Sequence, residues 1–275
     1  MKTVLITGGN SGIGKETVAG LASKDYQIVF VARNRVKAES VKNEIVSSSG
    51  NKNVNYLLAD LSSKKEVRAC AELFKKNYSN LDILINNAGV CLPEKRITVD
   101  GLEETFQINH LSHFILTNLL IDTLTKSEDP RIINVSSAAH NSGKFDPDNL
   151  QGEKEFSYWD AYSNSKLLNI LFTFELAERL KGSGITVNAL HPGVVNTNFG
   201  REFKGIMSVL LRLGKSLMLS PKKGAETSIY LASSEEVKNV TGKYFIKCKP
   251  VVPTNPAITA ENRKILWERS LKLAE

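Results

Sequence analysis

The chain has 275 residues, 41% of them hydrophobic and 24% charged, with a formal charge of +7. This length suits one large α/β domain over residues 1–275, and the composition excludes a disordered or fibrous chain. Its basic residues are scattered, in runs no longer than pairs such as Lys64-Lys65, which argues against nucleic-acid binding, and its three cysteines lack a CxxC pair, which argues against a disulfide framework or a zinc site.

Lys2 lies a few residues before a glycine-rich stretch, too few for a signal-peptide core, and no run of about 18 apolar residues follows. The expectation is a soluble, cytoplasmic protein. Short β-branched runs then alternate with amphipathic stretches. Strands are predicted at residues 4–6, 28–31, 54–57, 83–85, 132–135, 186–190 and 244–246. Helices are predicted to start near Gly12, Val36, Ser63, Gly101, Tyr162 and Pro221, with a last helix over residues 260–273. Asp100 ahead of the fourth helix and Ser220 ahead of Pro221 read as caps. Asp25-Tyr26 and Gly182-Ser183-Gly184 mark exits from helices into strands. This alternation predicts a single Rossmann-type, doubly wound parallel sheet with helices on both faces. Residues 141–160, with Phe156, Tyr158 and Trp159, form a loop long enough to cover a site.

Four motifs carry chemistry. Thr7-Gly8-Gly9-Asn10-Ser11-Gly12-Ile13-Gly14 follows the first strand and opens the first helix. Glycines there let the backbone approach a pyrophosphate, whose charge meets the free N–H groups of the helix. At the end of the second strand, where an NAD site carries an acid for the ribose hydroxyl, this chain has Ala32-Arg33-Asn34-Arg35. A missing acid and a guanidinium favour a 2′-phosphate, hence NADP(H). Tyr162 and Lys166 are four residues apart, on one helix face, where an ammonium would lower the phenol's pKa for proton exchange. Asn134-Val135-Ser136-Ser137 ends the fifth strand, at the sheet edge that lines a ligand crevice, and a hydroxyl there can bond a developing oxyanion.

Taken together these motifs resemble the short-chain dehydrogenase/reductase family. Asn86-Asn87-Ala88-Gly89 matches its Asn-Asn-Ala-Gly segment, Asp60-Leu61 its adenine-contacting acid, and Pro192-Gly193 with Val195 and Thr197 its nicotinamide-contacting segment. The likeness spans essentially the whole chain. Phrases such as Asn109-His110-Leu111-Ser112-His113-Phe114 and His191-Pro192-Gly193 look like the retinol dehydrogenase subgroup. Light-dependent protochlorophyllide reductases share several of them.

The resemblance implies roles. Tyr162 would be the general acid in reduction and the base in oxidation. Lys166 would lower the pKa of Tyr162 and hold the nicotinamide ribose. Ser137, rather than Ser136, would polarise the carbonyl, and Asn109 would hold a water between Lys166 and solvent. Gly8, Asn10, Ser11, Gly12, Ile13, Gly14, Arg33, Asp60, Leu61, Asn87, Ala88, Gly89, Pro192, Gly193, Val195 and Thr197 would hold the cofactor, so that residues 1–135 form mainly the cofactor-binding part and 136–275 the catalytic and lid part. A hydrophobic aldehyde, ketone or alcohol is the expected substrate, retinal-like carbonyls included, and a homodimer or homotetramer through helices four and six is the expected assembly.

Residues 205–219 place Ile206, Leu210, Leu213 and Leu217 on one helical face, suited to a lipophilic substrate lid or a peripheral membrane contact. His110 and His113 lack acidic or cysteine neighbours in a metal-ligand pattern, so a packed or solvent-bonded histidine pair is expected and no metal. Cys91 borders the Asn-Asn-Ala-Gly segment with nothing to mark it as a nucleophile. The rival readings are a non-catalytic NADP-binding regulator, which would be expected to lack the tyrosine or lysine, and a lipid-docking scaffold.

Overall fold

The structure, a computed structural model, describes residues 1–195 and 218–275. The chain runs β1 (Thr3–Thr7), α1 (Gly12–Ala22), β2 (Gln27–Ala32), α2 (Arg35–Ser49), β3 (Val54–Leu58), α3 (Lys64–Asn77) and β4 (Ile83–Asn86). A short α4 (Glu104–Phe106) passes through a π-helical turn (Gln107–Leu111) into α5 (Ser112–Leu124) and β5 (Arg131–Val135). A 3-10 turn (Ala138–Ser142) leads to α6 (Tyr158–Arg179), β6 (Thr186–His191), α7 (Pro221–Ser233), β7 (Lys243–Ile246), β8 (Lys249–Val251) and α8 (Ala260–Ala274). Thr197 and residues 205–217 of the expected lid lie outside the described residues.

The strands form one sheet in the order β3-β2-β1-β4-β5-β6-β7-β8, parallel from β3 to β7 and antiparallel at β8. The order reverses between β1 and β4, which creates the crevice where doubly wound sheets bind ligands. Central strands are buried on both faces, and their residues divide by the period of two. Leu5, Val29, Leu84 and Ile132 share one layer with Phe74, Phe114, Leu168 and Trp267. Val4, Ile28, Ile83 and Ile133 share the other with Val18, Leu21, Val41 and Leu231. This is the doubly wound α/β architecture that the hydrophobic alternation predicts.

Three details differ from the expectation. Asp100 does not cap the fourth helix: its carboxylate accepts from the Lys64 backbone N–H at the start of α3 and from Gln107 Nε2, both at 2.6 Å. Gly101, at φ +74°, turns the chain away, and Glu103 caps α4 instead by accepting from the Thr105 and Phe106 N–H groups. α6 begins a turn early, at Tyr158, because Ser157 Oγ accepts from Asp160 N. Strand β8 has no sequence signal, since Lys247 (φ 50°) and Cys248 (φ 62°) occupy the left-handed hairpin positions that normally call for Asn or Gly.

Among the described residues, no helix is long and apolar enough to cross a membrane.

Candidate active site

The C-terminal ends of β1 to β6 bring the candidate residues to one edge of the sheet. At the β1–α1 junction Gly8 adopts φ +68°, and a Cβ on Gly14 would lie 2.3 Å from the Gly8 carbonyl oxygen. Only glycine lets these two backbones meet. Ser11 makes no side-chain capping bond and the first turn of α1 holds no acid, so among the described residues its N–H groups have no side-chain acceptor. Asn10, Ser11, Gly12 and Ile13 line this turn, each partly exposed. Such a cradle fits the pyrophosphate of a dinucleotide.

Around it, Asn87 Nδ2 donates to the Thr7 carbonyl at 2.8 Å, which fixes the segment carrying Ala88 and Gly89 beside the turn. Arg33 leaves the end of β2 exposed, while Asn34 caps α2 through Lys37 N. Asp60 follows β3, with Leu61 buried behind it. Pro192, Gly193 (φ +93°) and Val195 continue from β6, and Val195 bridges Leu219.

The candidate reacting groups meet between β5 and α6. Ser137 and Tyr162 are hydrogen-bonded through their side chains. Lys166 Nζ lies 5.6 Å from the centroid of the Tyr162 ring and donates to the Val135 carbonyl at 3.2 Å. The Ser136 hydroxyl turns away and donates to the Lys166 carbonyl at 2.7 Å. Burial pushes the Lys166 ammonium down to about 8. The same burial holds the Tyr162 phenol above its ordinary range, against the opposite pull of Ser137. Desolvation of the phenolate is the largest influence on Tyr162, and Lys166 is not among the groups that shift it. Cys91 is buried nearby, its thiol pushed up to about 11 by that burial.

Asn109 sits in the π turn with both ends of its side chain engaged. Its Oδ1 accepts from Val90 N at 2.8 Å, and its Nδ2 donates to the Val90 carbonyl and to Ser165 Oγ, each at 2.9 Å. Lys166 Nζ and Asn109 Oδ1 would lie 3.2 and 3.4 Å from a Cβ placed on Gly89, so the two groups share one small space.

Three residues with no expected role also join the site: Thr7, His113 and His191. The Thr7 hydroxyl contacts the Asn87 and Ala88 N–H groups and His113 Nε2. The signal for His113 was its four-residue spacing from Asn109, which places the ring over that residue's carbonyl. His191 Nδ1 accepts from Ala138 N at 3.1 Å, steadying the turn after Ser137. His110 faces the opposite way, 2.9 Å from Ser270 Oγ and among Phe106, Phe114 and Phe172. No cluster of three or more metal-ligating side chains occurs among the described residues.

A cradle for a dinucleotide beside a Ser, Tyr and Lys group can bind a nicotinamide and exchange a proton with a carbonyl oxygen. Comparison with known proteins agrees with that chemistry. The family model for short chain dehydrogenases matches residues 2–205. The chain is 42% identical to retinol dehydrogenase 12 of Mus musculus, covering 99% of this chain and 86% of that protein. It is 43% identical to retinol dehydrogenase 13 of Homo sapiens, covering 99% and 84%. Among solved structures, an uncharacterised protein from Mycobacterium paratuberculosis matches with a TM-score of 0.81 at 31% identity, over 100% of this chain and 93% of that one. The NADP complex of Pseudomonas aeruginosa RhlG matches with a TM-score of 0.70 at 26% identity, over 89% and 93%. The chain belongs to the short-chain dehydrogenase family and is an oxidoreductase related to the retinol dehydrogenases.

Proposed function

We propose that the chain is an NADP(H)-dependent oxidoreductase that interconverts a hydrophobic aldehyde or ketone and the matching alcohol, with retinal-like carbonyls inside its substrate class. The observation that carries the chemistry is the meeting of half-buried Ser137 and Tyr162 with buried Lys166 at the sheet edge. When bound, the nicotinamide supplies the hydride for reduction or receives it in oxidation.

The chain's own residues do the rest. Gly8, Gly12 and Gly14 admit the pyrophosphate to the start of α1, and Arg33 offers a guanidinium to a 2′-phosphate. Ser137 orients the substrate oxygen. Tyr162, protonated at neutral pH because burial disfavours its anion, gives that oxygen a proton in reduction. Lys166 keeps a cation beside the phenol and holds the ribose. Asn109, whose carboxamide shares a small space with the Lys166 ammonium, holds a water that connects Lys166 to solvent.

The hydrophobic substrate class is supported by the retinol dehydrogenase relatives and by Trp159, which is 45% exposed with its ring centroid 6.1 Å from that of Tyr162. A homodimer or homotetramer would have to avoid the faces of α5 and α6 on which α8 packs.

The test is NADPH consumption by the purified chain with a panel of short and long aldehydes and ketones, retinal included. Turnover favouring the long apolar carbonyls is expected, and Tyr162→Phe should abolish it while NADPH binding persists. Full activity in that variant would overturn the assignment.

A further inference from the structure

We propose that His113 is a positioning residue that fixes the main-chain carbonyl of Asn109 by relaying a one-way hydrogen-bond chain from the dinucleotide turn. The inference rests on the oxidoreductase reading above for its kinetic consequence, but the chain itself follows from donor and acceptor counting.

The Thr7 hydroxyl has one proton and two lone pairs. The backbone N–H groups of Asn87 and Ala88 point at its oxygen from 2.9 and 3.0 Å, and neither can accept. Both lone pairs are thereby taken, and the hydroxyl proton is left for its third neighbour, His113 Nε2 at 2.9 Å. Nε2 must then be the unprotonated nitrogen. The ring proton sits on Nδ1, 3.1 Å from the Asn109 carbonyl, which can only accept. The ring is 2% exposed, and its burial, with the Lys166 charge nearby, pushes its pKa down to about 3. A second ring proton would face a Thr7 oxygen with no lone pair to receive it.

Every bond in this series therefore points the same way, from the Asn87 and Ala88 amides through Thr7 and His113 to Asn109. Bonds arranged so polarise one another. The series starts where the glycine-rich turn meets the Asn87-Ala88-Gly89 segment and ends on the main-chain carbonyl of Asn109, the residue whose carboxamide lies beside Lys166 Nζ. A carbonyl has two acceptor directions. With His113 occupying one, the other is fixed, in the widened backbone of the Gln107–Leu111 π turn. His113 thus ties the cofactor cradle to the residue beside Lys166.

The experiment compares His113→Leu, which removes both the acceptor and the donor, with His113→Gln, which keeps one of each. Melting temperature, NADPH affinity by fluorescence and kcat with the best carbonyl are read on the full chain. His113→Leu should lower kcat by ~10–100-fold, the range expected when a reacting group is misplaced by about an ångström, with a much smaller change in NADPH affinity. His113→Gln should recover most of kcat at a similar melting temperature. Equal losses in both variants, or an unchanged kcat in His113→Leu, would overturn the proposal.

A second measurement needs no turnover and no stable Leu variant. Nitrogen-15 NMR of histidine-labelled wild-type protein should show a neutral ring protonated at Nδ1, identified by its disappearance in His113→Gln. A ring protonated at Nε2 would refute the hydrogen-bond chain itself. Wild-type protein that turns over no carbonyl would instead sink the oxidoreductase reading, and the kinetic role of His113 with it.

Discussion

The guanidinium of Arg33 stands 3.8 Å from the Asp60 carboxylate, with the Arg33 side chain 71% exposed and that of Asp60 30%. The other Asp60 oxygen accepts from Ser62 N and Ser62 Oγ, so the local turn after β3 orients the acid independently of the arginine. A pair this open contributes about 0–1 kcal/mol, so little holds the guanidinium back from a phosphate. Arg33→Asp would place a second carboxylate beside Asp60, where a 2′-phosphate is repelled and a ribose hydroxyl can be bonded. The expected outcome is a KM for NADPH raised by roughly 100-fold, two charge-assisted bonds' worth, with NADH affected little or improved. Steady-state kinetics with both cofactors decides it; an unchanged preference removes Arg33 from the 2′-phosphate role.

Lys166 and Tyr162 are displaced in opposite senses by the same burial. The lysine is pushed down to about 8 from 10.5, whereas the tyrosine is held above its ordinary value. Between pH 6 and 10 the phenol keeps its proton and the ammonium loses its own. The kcat/KM for carbonyl reduction, which reports the free enzyme, should therefore fall as pH rises through about 8. Lys166→Arg, whose guanidinium stays charged throughout, should move that limb above the measured range in whatever activity remains. A wild-type profile flat from pH 7 to 9 would show that the charge on Lys166 does not matter to the step.

How far these features were legible in the sequence depends on how local their causes are. The βα alternation, the cap at Ser220 and the side-by-side arrangement of Tyr162 and Lys166 arise within one element, so spacing alone reveals them. Asp100 looked like a cap for the helix that follows it, yet its partner is Lys64, 36 positions earlier in the chain. His110 and His113 are both packed, as expected, but they point to different sides of the π turn, toward Ser270 and Thr7, partners that no local spacing reveals. The raised pKa of Tyr162 was equally hidden, because the sequence shows the cation beside the phenol but not the loss of water around both. Each miss is a long-range contact or a burial effect, neither of which has a period to read.

At the opposite end of the sheet from the site, Arg131 and Asp129 form a buried ion pair at 2.6 Å, with Lys2 on the same carboxylate oxygen at 2.6 Å. Arg131 also donates to the Leu231 and Ser234 carbonyls, so it ties the start of β5 to the C-terminal end of α7. Burial alone would raise the Asp129 pKa; the bonds from Arg131 and Lys2 outweigh it and hold the carboxyl below its ordinary value. A depressed carboxyl contributes stability above the unfolded-state pKa and loses it as pH falls through the folded-state value. Asp129→Asn should cost about 3–5 kcal/mol at pH 7, because it strands the Arg131 charge. Denaturant melts should show the gap between variant and wild type narrowing on acidification below about pH 4, the ordinary carboxylate range. A gap that stays constant with pH would mean the carboxylate's charge contributes nothing.

The C-terminal helix offers the last test, because α8 is fastened to the back of the π turn rather than lying free. Trp267 sits 5.0 Å from Phe114 on α5 and 6.2 Å from Phe172 on α6, and the Arg179 guanidinium lies 4.3 Å from its ring. Ser270, one turn on, meets His110, the residue next to Asn109. Removing the indole would leave a cavity between three helices, at a cost of about 3–5 kcal/mol. Trp267→Ala should therefore lower the melting temperature by on the order of 10 °C for a chain of this size. If α8 also steadies the π turn, Ser270→Ala should lower kcat more than it lowers stability, since it leaves a buried histidine nitrogen without its hydroxyl partner one residue from Asn109. Thermal melts and kcat measured together separate the two effects: parallel losses in both variants would mean that α8 stabilises the fold and nothing more.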